Sequence, residues 1–461
     1  MRVLFTVFAA KPHLYNLVPL AWALEAAGHE VRVASQPDLT EAITRTGLTA
    51  VPVGEALQLA DSFQAPAADG ERDTAGGGGG WRRLSGVTET RPEKLTWNYV
   101  LGTLTIGCSM EYEHVAGQSM TDDLVEFAGA WRPDLVIWDA LTLAGPVAAL
   151  SCGAAHARML FGLDYNSAML DTYFRLLGEQ PAERRDDPLS DYLSGRLSRY
   201  GMDFDPAMAR ELMTGQWTID PTPPWMQLPV KVPLVPVRYV PYNGPSSLPG
   251  WIHHEPGRPR VCLSLGMSGR ELLGGDRVSG TGAAASDPTV LDMAEALAGL
   301  DAEIVVTLKS GQLSEGHRLP DNVHAVDFVP LDALLPTCGA VIHHGGFGTV
   351  GNVLTHGVPS LTIPAPWWDE TALGEHLATR GAGLLTLPQE LTLDGLCADV
   401  ARLLAEPSFL AAAREVREDQ LAVPSPSQAV PELERRAAGH RSVARGAHSS
   451  SAASRRSAFR R

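Results

Sequence analysis

Long apolar runs are missing from this chain of 461 residues: no stretch is long enough to cross a bilayer. Positive charge is also in short supply. Lys and Arg total 37 against 53 Asp and Glu, a net charge of −16, which argues against nucleic acid as a partner. An anionic substrate stays open, because local donors decide that. The five cysteines (Cys108, Cys152, Cys262, Cys338 and Cys397) lack CxxC spacing and sit among apolar or small residues. They read as reduced thiols of a cytoplasmic protein. Zinc-type spacing is absent among histidines and carboxylates, and the pair His253-His254 reads as exposed rather than metal-bound. A signal peptide is not expected either, since the first residues read as a strand, Arg2 to Phe8.

What is present is the patterning of a large α/β protein. At this length two domains are expected. The strand Arg2 to Phe8 is followed by a loop, Ala9 to Asn16, and a helix from about Tyr15 to Ala27 with Leu17, Leu20, Ala21 and Leu24 on one face. Strands Glu30 to Ala34 and Thr49 to Val53 flank a short helix. Such a β-α-β-α-β opening predicts a doubly wound parallel sheet, in which ligands sit beyond the C-terminal ends of the strands. His13 lies in that place, on the first loop. Asp139 does too, closing the strand Pro133 to Asp139.

Between them, Gln64 to Gly80 is rich in Ala, Gly and Asp and predicts a surface loop. Helices are expected near Pro92 to Ile106 and Gly117 to Ala130, and Trp217 to Leu228 reads as irregular. Proline and glycine crowd residues 238–260, which marks an interdomain linker. The α/β pattern then restarts at Val261. The expected organisation is thus an N-terminal domain 1–237, the linker 238–260, a C-terminal domain 261–424, a last helix within 425–440 able to return to the first domain, and a disordered tail 441–461.

One stretch stands out. Val341-Ile342-His343-His344-Gly345-Gly346-Phe347-Gly348-Thr349 reads as a strand, two histidines, a glycine turn and a helix from Val350 to His356. A helix N-terminus leaves N–H groups unpaired and carries partial positive charge, and glycines admit a phosphate close to the backbone. This is the expected seat of a diphosphate. Gly346-x-Gly348-x-x-Gly351 also matches the dinucleotide fingerprint, with Asp369 near the distance of a ribose-binding acid. Two histidines interrupt the strand-to-glycine junction, however, and Asp369 lies past the next strand.

Three stretches carry a resemblance over nearly the whole chain. They are His344-Gly-Gly-x-Gly-Thr349 with Gly357-Val358-Pro359 and Trp368-Asp369; His13-x-Tyr-Asn-Leu-Val-Pro19-Leu-Ala-Trp-Ala-Leu24; and Arg238-Tyr-Val-Pro-Tyr-Asn-Gly-Pro245 with Arg260-Val-Cys-Leu-x-Leu-Gly266. The chain resembles the GT-B glycosyltransferases of actinomycete antibiotic pathways, and in particular those that move deoxy or amino sugars onto macrolides and anthracyclines. The resemblance implies two Rossmann-like domains facing across a cleft, a dTDP-sugar as co-substrate with no other cofactor, and a polyketide aglycone as acceptor. It implies that His13 is the general base, with Asp139 its orienting partner. It places the donor diphosphate at His344, Gly346, Phe347, Gly348, Thr349 and Ser268, the nucleobase and ribose at Phe328, Val329 and Leu331, and the donor sugar at Asp369 and Glu370. Glu370 stands where many members have Gln, a change that an amino sugar would welcome. Metal is not implied, inversion at the anomeric carbon is, and a cytochrome-like auxiliary activator or a homodimer is left open. Rival readings are an NAD-dependent oxidoreductase, a sugar-nucleotide epimerase on a similar fold, and a non-catalytic partner of glycosyltransferases.

Overall fold

The computed structural model describes residues 1–59, 86–266, 288–308, 317–365 and 367–440. The expected loop Gln64 to Gly80, Ser268 and the tail from Arg441 lie outside the described residues.

Two parallel sheets organise the chain. The first contains β1 (Arg2–Thr6), β2 (Glu30–Ser35), β3 (Thr49–Pro52), β4 (Leu135–Asp139), β5 (Ala155–Met159), β6 (Trp217–Asp220) and β7 (Leu234–Pro236), in the order β3-β2-β1-β4-β5-β6-β7. The second contains β8 (Arg260–Ser264), β9 (Glu303–Thr307), β10 (Val323–Val326), β11 (Ala340–His343), β12 (Ser360–Thr362) and β13 (Gly383–Leu385), in the order β10-β9-β8-β11-β12-β13. Every residue of β4, β5 and β6 is buried. Such strands carry helices on both faces, which is why they lack alternation. In each sheet the order reverses beside its first strand, so a crevice opens between β1 and β4 and another between β8 and β11. Both candidate sites grow from these crevices.

Several elements differ from the sequence reading. The first helix runs Lys11–Ala26, so His13 stands in its opening turn and not on a loop. Pro12 explains this, since proline in a first turn loses no hydrogen bond and has its φ already set. The segment expected to be irregular contains β6, and β7 lies between Pro233 and Pro236; a terminal strand of a sheet tolerates such prolines. The helix after β11 begins at Phe347, three residues early, inside the glycine motif itself.

Residues 426–440 form a helix. Its Ala429, Val430, Leu433 and Ala437 join the core of Phe5, Leu24 and Val33 under the first sheet, and Glu434 meets His29 at 2.9 Å. The chain therefore crosses between the sheets twice. The two crossings touch: the Arg238 N–H donates to the Pro424 carbonyl at 2.8 Å.

Candidate functional site

On the first sheet, β1 ends beside β4, in register from Val3 opposite Leu135 to Thr6 opposite Trp138. This pairing brings the turn after β1 to the end of β4. His13 Nδ1 lies 2.7 Å from Asp139 Oδ2, while Asp139 Oδ1 accepts the Leu141 N–H at 3.0 Å. With a carboxylate at Nδ1, that nitrogen carries the proton and Nε2 keeps its lone pair. Phe8 and Phe161 flank the imidazole with ring centroids at 4.5 and 4.4 Å. The Asp139 side chain is 4% exposed and that of His13 is 16% exposed, so the pair is walled in but reachable.

On the second sheet, β11 delivers the glycine motif. His343 is buried, and its Nδ1 accepts the Gly345 N–H at 3.0 Å. Its role is to fold the turn. Burial, reinforced by the neighbouring His344, holds its pKa down at about 3. His344 keeps some surface, but burial still pushes its imidazole down to about 4. It is thus neutral at physiological pH. The ring slots between two glycines: a Cβ on Gly266 would come within 2.0 Å of its Cε1, and one on Gly346 within 2.4 Å of its Nε2. Among the described residues its Nδ1 finds no hydrogen-bond partner. No side chain among the described residues caps the helix Phe347–His356, and Gly348 is exposed at its start. An uncapped helix start leaves N–H groups and partial positive charge that could hold an anion.

Gly351, the last glycine of the apparent dinucleotide fingerprint, has a different job. A Cβ there would lie 2.4 Å from the Tyr239 ring. Phe347 meets the same ring edge-on at 5.7 Å, so it can offer a ligand only its backbone. The glycine spacing here thus records packing of the linker on the helix.

Asp369 and Glu370 stand beside the motif, since a Cβ on Gly345 would come within 2.8 Å of that of Glu370. Both are buried, and burial pushes both carboxyls up, Glu370 to about 7. Glu370 Oε2 accepts the Trp368 N–H at 2.6 Å. Asp369 Oδ2 accepts the Leu163 N–H at 2.9 Å, which ties the two sheets' domains together. Trp368 faces Phe161 at 5.5 Å. A pocket of the first domain is lined by Leu141, Asn166 and Met169, among others, and Trp368 of the second domain joins its lining.

The loop carrying Phe161, Gly162 and Leu163 was not singled out from sequence, although it touches both His13 and Asp369. Its anchor was visible as a charge in an apolar strand: Arg158, fully buried in β5, pairs with Asp164 at 2.5 Å. Of the residues expected around a nucleobase, Phe328 is exposed and Leu331 opens a short helix, Leu331–Leu334. Val329 turns its side chain into the core with Val305 and Val341. Among the described residues no group of three or more His, Cys, Asp or Glu could hold a metal ion, and no helix is long and apolar enough to cross a membrane.

Residues 22–266 match the family model of the Erythromycin biosynthesis protein CIII-like N-terminal domain, and residues 290–435 match that of the C-terminal domain. The chain is 50% identical over 449 residues to the aclacinomycin-T 2-deoxy-L-fucose transferase of Streptomyces galilaeus, covering 96% of this chain and 97% of that one. It is 46% identical to the 10-deoxymethynolide desosaminyltransferase of Streptomyces venezuelae over 441 residues, 96% of this chain and 98% of the relative. The crystal structure of the glycosyltransferase VinC in complex with dTDP superimposes with a TM-score of 0.82 at 46% identity, covering 95% of this chain and 99% of that one. Neither the oxidoreductase nor the epimerase reading is favoured by these relatives. The two facing parallel-sheet domains are those of the GT-B fold, and the chain belongs to the erythromycin biosynthesis protein CIII-like family of antibiotic-pathway glycosyltransferases.

Proposed function

We propose that this enzyme transfers a deoxysugar from a dTDP donor to a hydroxyl of a polyketide aglycone, with inversion and without a metal. The observation that carries the reading is the 2.7 Å His13–Asp139 pair across the cleft from an uncapped helix start. His13 Nε2 takes the acceptor's proton as its oxygen attacks, and Asp139 steadies the imidazolium that forms. The N–H groups of Phe347 and Gly348, the Thr349 hydroxyl and neutral His344 receive the departing diphosphate. That set needs no metal to offset the developing charge. Attack from the face opposite the leaving group inverts the anomeric carbon.

Asp369 reads a sugar hydroxyl, and Glu370 suits an amino group on the donor sugar. Phe328 and Leu331, with the backbone of Val329, border the nucleoside. The relatives named for desosaminyl and 2-deoxyfucosyl transfer, and the dTDP in VinC, support a deoxysugar and a thymidine donor. An auxiliary activator protein and a homodimer belong to the same reading as requirements to be tested.

Calorimetric titration with dTDP, UDP and NAD, with and without magnesium, tests the donor half. Metal-independent binding of dTDP in preference to UDP and NAD is expected. Binding of NAD without either diphosphate would overturn the assignment.

A further inference from the structure

Among the described residues, the pocket that Trp368 shares with the first domain is lined by one charged side chain. The helix Trp97–Ile106 does not run straight into the next helical turn, Tyr112–Val115. Residues Gly107–Glu111 form a π-helical turn between them. Such turns insert a residue at a cost in backbone geometry and recur where a side chain must be re-aimed. Here the turn ends on Glu111, which lines the pocket with Leu104, Leu141, Asn166, Met169 and Trp368. Its Oε2 lies back over Gly107, 3.8 Å from where a Cβ would stand on that glycine.

Among the described residues, Glu111 has no hydrogen-bond or ion-pair partner. Among those residues no Lys, Arg or His lines the pocket with it. Burial alone pushes its carboxyl up to about 7. The pocket reaches from Leu141, whose N–H binds Asp139, to Trp368, next to Asp369. Glu111 thus lines a pocket that abuts residues next to Asp139 and Asp369. Were the ligand neutral there, Gln or Asn would offer hydrogen bonds without the cost of desolvating a charge. Beside a neutral ligand this carboxyl would stay protonated, whereas an ammonium group would hold it ionised in a charge-assisted hydrogen bond.

We infer that Glu111 is a specificity-determining residue that binds a cationic amine carried by the acceptor, set away from the hydroxyl that is glycosylated. The inference rests on the proposed glycosyl transfer, because it takes this pocket to be the acceptor's. The amine's N–H donates to the Glu111 carboxylate, and the apolar lining covers the rest of the acceptor.

Daunorubicin and its N-acetyl derivative form a suitable probe pair, since both are fluorescent anthracyclines and only the first carries an ammonium. Wild-type enzyme should bind the amine about tenfold more tightly, the scale of a charge-assisted hydrogen bond. Glu111→Gln should remove that preference and leave dTDP affinity unchanged, which also reports that the variant is folded. Equal binding of the two probes by the wild type, binding of neither, or a preference that persists in Glu111→Gln would each overturn the inference. Loss of dTDP binding by the wild type would instead sink the functional reading beneath it.

Discussion

The backbone N–H of Leu163 donates to Asp369 Oδ2 at 2.9 Å, joining a loop of the first domain to the second. Gly162 makes the approach possible, because a Cβ there would come within 2.1 Å of the same oxygen. The loop that steadies the His13 ring through Phe161 is therefore the loop that holds Asp369. The His13–Asp139 pair and Asp369 share one support.

Asp369→Asn retains an oxygen for the Leu163 N–H, whereas Asp369→Ala leaves that N–H buried and unpaired. Asp369→Ala should cost about 1–3 kcal/mol in denaturant unfolding, and Asp369→Asn clearly less. Equal losses would mean that the hydrogen bond does not matter to the domains' association.

Gly351→Ala should destabilise the protein by about 1–3 kcal/mol through its clash with the Tyr239 ring. Thermal unfolding of Gly351→Ala beside the double variant Gly351→Ala/Tyr239→Leu checks this. The cost of the alanine should shrink when the ring is gone. An unchanged cost would place the requirement for glycine elsewhere.

That glycine shows why the motif was only half legible. The strand, the glycine turn and the uncapped helix follow from residue types alone. The third glycine's role depends on Tyr239, over a hundred positions earlier, and spacing carries no record of such a contact. His13 is similar. Its position after β1 was readable, but its 2.7 Å contact with Asp139 depends on β1 and β4 lying side by side. The loop around Phe161 and Leu163 has a local trace only in its anchor, Arg158 in an apolar strand, since its contacts to His13 and Asp369 come from distant segments. The strand Trp217–Asp220 was hidden by the prolines that follow it, which are tolerated because they lie beyond its end.

Histidine burial gives a pH signature. In the folded protein His343 resists protonation down to about 3, while in the unfolded chain it titrates near its ordinary value of 6.5. Its depressed pKa means that stability is fully present above about 6.5 and is lost progressively as pH falls towards 3. His343→Asn keeps an acceptor for the Gly345 N–H and removes the titration. Unfolding free energies measured between pH 6 and 4 should fall about 1.4 kcal/mol less per pH unit in the variant. Parallel curves would show that His343 is protonated in the folded protein.

Thr349→Ala should weaken dTDP binding about tenfold or more, the worth of a hydrogen bond to a charged group, with the fold intact. Calorimetry reads this directly. Unchanged affinity would remove Thr349 from the diphosphate seat.

The central claim is that His13, held by Asp139, takes the acceptor's proton, and the most direct measurement is turnover of His13→Ala beside its dTDP affinity. Steady-state transfer from a dTDP-deoxysugar to an aglycone that the wild type glycosylates should fall about a hundredfold or more, with dTDP binding unchanged. Near-normal turnover in His13→Ala would contradict the account.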